Sequence, residues 1–176
     1  MEEFLIDVEK LRESARKNMK KGPVTDAYGA DVERVIEVLN DSLATEFICV
    51  LRYTQHHFAA KGLESESIAA EFLAHANEER AHADLLAARI AQLGGDPDFN
   101  PTTFSERAHS QYQTATSLTE MIKENLVAER IAISVYTEII KWLGDGDPTT
   151  RRLIEEILAV EEEHADDMAN LLISTK

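Results

Sequence analysis

The chain has 176 residues, 44% of them hydrophobic, and a formal net charge of −15 from 18 basic and 33 acidic side chains. That is long enough for one domain with a real core and too apolar for a disordered chain. Charges interrupt every hydrophobic stretch before it reaches the roughly 18 residues of a membrane span, and an acidic surface repels nucleic-acid phosphates while attracting cations, so direct nucleic-acid binding by the folded body is not expected.

Met1-Glu2-Glu3-Phe4 lacks the basic start of a secretory signal. The single cysteine, Cys49, allows no intrachain disulfide. Both point to a reducing, cytoplasmic setting. A helix is expected over residues 3–20, and its basic cluster (Arg12, Arg16, Lys17, Lys20, Lys21) reads as a solvated face. Residues 1–30 are read as this helix and a linker, and 31–176 as a single helical domain. Apolar residues there recur at spacings of three and four between sparse glycines and prolines. Four long helices are expected, over 31–61 (closed by Gly62), 65–93 (closed by Gly94), 117–144 and 147–174. Ser117-Leu118-Thr119-Glu120 fits a capping box, and Pro148 occupies the first-turn position that proline prefers.

Links of about three residues make the first and second long helices, and the third and fourth, antiparallel neighbours. The middle link, 95–116, is about 22 residues and spans up to about 70 Å when extended. A helix of about 28 residues is about 42 Å long. The link can therefore cross the whole bundle, giving an all-α four-helix bundle with one long crossover.

One pattern occurs twice. Glu46 is followed by Tyr53 and then by Glu79-Arg80-Ala81-His82; Glu129 is followed by Tyr136 and then by Glu161-Glu162-Glu163-His164. The tyrosine stands seven residues after the lone Glu in both copies, and the Glu-x-x-His follows after 33 and 32 residues. All four glutamates fall near the middles of their helices, hence at one height, and each His projects from the face of its Glu. Glu46 and Glu129 interrupt apolar stripes. Burying four carboxylates together is costly unless cations neutralise them. Two divalent ions balance the four negative charges, and a mixed Glu/His set without thiolate suits iron or manganese. A lone Glu-x-x-His is a weak signal; two, with two centred glutamates at matched depth, are a strong one.

These residues resemble the ferritin-like superfamily, most closely bacterioferritins and Dps-like proteins with a bacterioferritin-type site, over roughly 31–173. The resemblance implies Glu46 and Glu129 as terminal carboxylates, Glu79 and Glu161 as bridging ones, and His82 and His164 as nitrogen ligands of a diiron centre. Manganese is an alternative occupant. Tyr53 matches a tyrosine that hydrogen-bonds a ligand or supplies an electron, and His56 a histidine of the same helix. The implied activity is that of a ferroxidase, in which O2 or hydrogen peroxide oxidises Fe2+ and a homo-oligomeric cage stores ferric mineral. A rubrerythrin-like peroxide reductase, a manganese catalase-like enzyme and a Dps-like stress-protection cage are the rivals. Arg80 stands where bacterioferritins place their haem-ligating methionine, so haem is not expected. The chain runs only 12 residues beyond His164, too few for a bacterioferritin fifth helix, which favours 12 subunits over 24. Cys49 reads as a small core residue, with a redox-active thiol as the alternative, Tyr136 as core that could touch the site, and Trp142 as packing. His57, His75, Glu78 and His109 read as surface or interface residues rather than ligands, with a role in iron entry as the alternative.

Overall fold

The computed structural model describes residues 6–61 and 65–174. The helices are α1 (Val8–Lys17), α2 (Val32–Ala59), α3 (Ser65–Gln92), α4 (Phe104–Arg107), α5 (Leu118–Leu143) and α6 (Pro148–Ser174), with a 3-10 turn at Met19–Lys21 and no strand among the described residues. None of these helices is long and apolar enough to cross a membrane. The chain is thus all-helical, as its periodicity predicts.

Start signals act where the sequence places them. The Asp31 carboxylate accepts from the Arg34 amide, Ser117 Oγ from the Glu120 amide and Asp147 from the Thr150 amide, each meeting a donor that an α-helix leaves unpaired in its first turn. At the end of α5, Gly144 takes φ +48°, a conformation that costs a side-chain-bearing residue energy.

Helix α2 packs on α3 and α5 on α6, leaving two looser seams, α2–α5 and α3–α6. One apolar cluster, including Leu39, Leu86, Ile90, Ile154 and Ile157, fills one half of the bundle; another, including Phe72, Met121, Ile122 and Met168, fills the other. Each such buried side chain stabilises the fold by about 1.5–3 kcal/mol, and the two clusters clamp the polar layer between them.

The crossover climbs α2. Asn40 pairs with the backbone of Asp96 and Asp98, Thr45 Oγ1 accepts from the His109 amide at 2.9 Å, and Arg52 Nη1 donates to the Gln111 carbonyl at 3.2 Å. Helix α4 adds Phe104, whose ring stacks on Phe47 at 5.1 Å. The link lies over part of the α2–α5 seam, beside Arg52 of α2 and Glu124, Val127 and Ile131 of α5.

Several expectations are corrected. The N-terminal helix covers only Val8–Lys17, with its expected first residues, 3–5, outside the described ones. It stops because Asn18 leaves helical geometry and its side chain bonds Asp26 at 3.1 Å. Helix α2 ends at Ala59 rather than 61, where Ala60 turns extended; Gly62 lies outside the described residues. Helix α4 has too few residues to leave a periodic signal. Trp142 is 48% exposed rather than packed, because the buried face near the end of α5 belongs to Ile139 and Leu143.

A charged hub ties the N-terminal linker to the bundle. The Gly29 amide donates to the Gly146 carbonyl at 3.0 Å, and a Cβ on Gly29 would lie 3.2 Å from the Gly146 Cα. Beside this contact the buried Asp147 carboxylate accepts from Tyr28 at 2.7 Å and from Arg89 at 3.0 and 3.1 Å. Burial opposes ionisation of Asp147, but hydrogen bonds from Thr150, Tyr28 and Arg89 outweigh it and hold the carboxyl below its usual range. A depressed folded pKa means stabilisation present above the unfolded value of about 3.9 and lost as pH falls through the folded one. Asp147→Asn, which keeps a capping side chain but removes the charge, is expected to cost about 2 kcal/mol near neutral pH. That deficit should be clearly smaller near pH 3, inside the window below the unfolded value where the stabilisation is being lost. Thermal or chemical unfolding of both proteins at the two pH values checks this; an equal deficit at both rules out the charge as its source.

Candidate metal centre

The polar layer is built from one repeat per hairpin. Glu46 comes from α2, Glu79 and His82 from α3, Glu129 from α5, and Glu161 and His164 from α6. All four glutamates and His164 are at most 1% exposed, and His82 is 6% exposed. Two overlapping sets result: Glu46, Glu79, His82 and Glu161, and Glu79, Glu129, Glu161 and His164. In each, one side-chain donor atom per residue lies within 4.8 Å of the others. Glu79 and Glu161 belong to both sets.

His82 Nδ1 stands 3.0 Å from Glu161, 3.4 Å from Glu79 and 3.5 Å from Glu46. His164 Nδ1 stands 3.7 Å from Glu79 and 4.0 Å from both Glu129 and Glu161. Glu46 Oε2, both oxygens of Glu79, Glu129 Oε2, Glu161 Oε1 and both histidine Nδ1 atoms are buried without a hydrogen-bond partner. Seven orphaned polar atoms aimed at one another would be expensive in an ordinary core. They are the donor set that oxygen- and nitrogen-binding divalent cations require.

The outward oxygens of the terminal glutamates are occupied. Tyr53 on α2 donates to Glu129 on α5, and Tyr136 on α5 donates to Glu46 on α2. Each tyrosine thus holds the glutamate of the other repeat. On the other side of the layer, His164 Nε2 lies 2.8 Å from Glu78 Oε2. A carboxylate only accepts, so Nε2 carries a proton, and Nδ1 is the nitrogen that faces the glutamates and can take a cation once its own proton is displaced. Orienting a ligand histidine through its second nitrogen is the usual support for metal binding.

The electrostatics express the crowding. Burial pushes Glu46 and Glu161 well above the usual carboxylate range and raises Glu129, with the charge of Glu79 adding to all three. Burial works against ionising Glu79 as well, but His164 and His82 outweigh it, and Glu79 is held below the usual range. Burial disfavours a charged imidazole too; Glu161, Glu46 and Glu79 nevertheless push His82 up to about 12, and Glu79 with its neighbours pushes His164 up to about 9. The cluster holds protons tightly, and a cation entering it displaces them.

The reading of two side residues, His75 and Glu78, changes. His75, expected at the surface, is buried; its ring stacks on His164 with centroids 4.0 Å apart, and its Nδ1 is 3.2 Å from the Tyr53 hydroxyl. Burial, then the charge of His164, pushes it down to about 4. Its position four residues before Glu79 puts it on the same helix face, which is the signal that finds it. Glu78 is exposed but holds His164. His57 is half-buried and bonds the Ala69 carbonyl, while His109 is exposed and bonds Thr45. His56 is buried and shares Asn125 Oδ1 with the Arg52 guanidinium. Cys49 is a buried thiol beside Arg52, pushed up by burial. Arg80 points outward to Asp84 and over the Phe47 ring.

Comparison with known proteins agrees with this architecture. The DNA protection during starvation protein of Pyrococcus furiosus is 36% identical over 145 residues, covering 80% of this chain and 78% of that protein. The solved dodecameric thioferritin of Bacteroides fragilis, a bacterioferritin-related protein, superposes with a TM-score of 0.80 at 32% identity, over 93% of this chain and 94% of that one. The diiron-site structure of Desulfovibrio desulfuricans bacterioferritin superposes at 0.71 with 27% identity, over 80% and 79%. The ferritin-like domain family matches residues 36–176, and the chain belongs to that family.

Proposed function

We propose that this protein is a diiron ferroxidase that oxidises Fe2+ with O2 or hydrogen peroxide and stores the ferric product inside a cage of identical subunits. The observation that carries the reading is the convergence of buried, unpartnered carboxylate and imidazole atoms from two sequence repeats. Glu46, Glu79, His82 and Glu161 would hold one ferrous ion and Glu79, Glu129, Glu161 and His164 the other. When bound, each ferrous ion supplies one electron, and hydrogen peroxide, taking two electrons and two protons, leaves as water. Glu78 keeps a proton on His164 Nε2, so that Nδ1 is the nitrogen left for metal. Tyr53 and Tyr136 keep the terminal carboxylates from swinging away, and Tyr53, hydrogen-bonded to Glu129 and to His75, is placed to hand on a proton or an electron. Manganese is held by the same donor types, so metal preference rests on supply as much as on the site.

Withdrawing Fe2+ and an oxidant together is also a protective activity, and the name of the Pyrococcus relative supports a role in stress protection. The dodecameric Bacteroides relative supports a shell of twelve. The native particle is then expected at twelve times the 19.7 kDa of one chain. Native mass measurement checks this, and a stable monomer sinks the cage.

Glu79→Ala is expected to slow rapid Fe2+ oxidation about 100-fold or more while the helical circular dichroism is retained; undiminished oxidation means that the ligand assignment is wrong. Tyr53→Phe is expected to keep two cations per subunit but to oxidise Fe2+ roughly tenfold more slowly, as stopped-flow absorbance would record. Fast peroxide consumption by the wild type with no retained mineral would instead favour a rubrerythrin-like peroxide reductase.

A further inference from the structure

The N-terminal helix stands apart from the bundle. Helix α1 has 10 residues, and none of them is buried. A helix that short is marginal in water unless another surface covers its apolar face. Val8, Leu11 and Ala15 share one face of α1, and Val8 and Leu11 are 50% and 53% exposed. Ile6 before the helix and Met19 after it are also exposed. Ser14 and Asn18 bond Asp26, which ties α1 to the linker rather than to the four long helices. The helix and the turn after it are also the basic part of an acidic protein. Residues 10–21 carry six basic side chains and one acidic one, whereas the remainder of the chain carries 12 basic and 32 acidic ones. The surface of a second copy is therefore complementary to α1 in charge.

The bundle carries an apolar hollow that fits such a helix. Val38 of α2 and Val135, Ile139 and Trp142 of α5 line a surface groove of about 460 Å3, with Arg34 and Glu138 on its wall. The crossover covers the α2–α5 seam beside Arg52 and leaves this stretch open. Trp142 is 48% exposed here, and an indole at the edge of an apolar hollow is a typical anchor for a partner. Acidic groups border the groove: the Glu138 side chain is 74% exposed, and Glu37 pairs with Arg34 at 2.7 Å. The groove is not filled by the helix of its own chain. No α1 residue lines it, and Lys20, Lys21 and Val24 of the linker run beside Leu93 and Gly94 at the end of α3 instead.

We propose that α1 of one copy docks in the α2–α5 groove of the next, with Val8 and Leu11 against Trp142 and the basic side chains toward Glu37 and Glu138. The two surfaces differ, so the contact is heterologous and, repeated, joins copies head to tail into a ring. The proposal rests on the cage reading, of which it names one contact. A paired-cysteine variant of the full chain, V8C/S134C, tests it after mild oxidation. Ser134 lines the groove and is exposed, and the native Cys49 is buried. Denaturing electrophoresis without reductant is expected to show a ladder of linked dimers and larger species, absent from V8C and from S134C alone. L11E and W142A should each dissociate at about tenfold higher protein concentration than the wild type, with helical circular dichroism unchanged. Unlinked monomer, or a single fast-migrating monomer band from a bond within one chain, overturns the proposal. If the ladder is missing while a duplex-DNA gel shift is lost in K10Q/R12Q/R16Q/K17Q, α1 serves an anionic polymer instead. An assembled wild-type particle without a ladder strikes this contact alone, whereas a monomeric wild type strikes the cage reading with it, so the two failures are separable.

Discussion

Four carboxylates share one small, dry volume, and the rest of the molecule answers that constraint. Two unit charges 4 Å apart repel by about 4 kcal/mol at an effective dielectric constant of about 20. Several such repulsions together exceed the roughly 5–15 kcal/mol that holds an ordinary domain folded. The layer is tolerable only with protons or cations inside it. The two imidazoles, the two cross-bundle tyrosines and the apolar clusters above and below keep its geometry defined in either condition. A bundle that needed only to be stable would put leucines there.

The repeated hairpins supply the ligands in pairs, and the exchange of tyrosines between halves makes each hairpin depend on the other. Function enters where the repetition fails. The crossover exists once and covers part of the α2–α5 seam. Glu71, His75, Glu78 and Asp167 exist once and decorate the α3–α6 seam. A pseudo-symmetric centre thereby acquires one flank overlaid by the crossover and one edged by acidic side chains, an asymmetry that neither repeat possesses alone.

Much of this was legible in the sequence because helical geometry is periodic. Spacing alone placed Glu46, Glu79, Glu129 and Glu161 at one depth and His82 and His164 on their faces, and link lengths fixed the helix order. What escaped notice depends on neighbouring helices or on nonperiodic backbone. His75 shares the face of Glu79 but has no counterpart in the second repeat, where Ile157 stands, so the pattern passed over it. Glu78 precedes Glu79 by one residue and points away along its own helix; only the approach of α6 brings His164 to it. The path of the crossover is written in scattered polar contacts such as Asn40 with Asp98 and Thr45 with His109, which carry no rhythm. The end of α2 at Ala59 likewise turns on a single backbone torsion.

The crossover also governs the fate of the one thiol. Cys49 lies a single helical turn from Glu46, with Ser110 of the crossover 3.6 Å from its sulfur and the Arg52 guanidinium beside it. Burial keeps it a thiol rather than a thiolate, and thiolates are what peroxide attacks. In the oxidant-consuming shell proposed above, reactive thiolates would risk covalent cross-linking of the subunits. Strapped beneath residue 110, the sulfur is sequestered from that of any second copy.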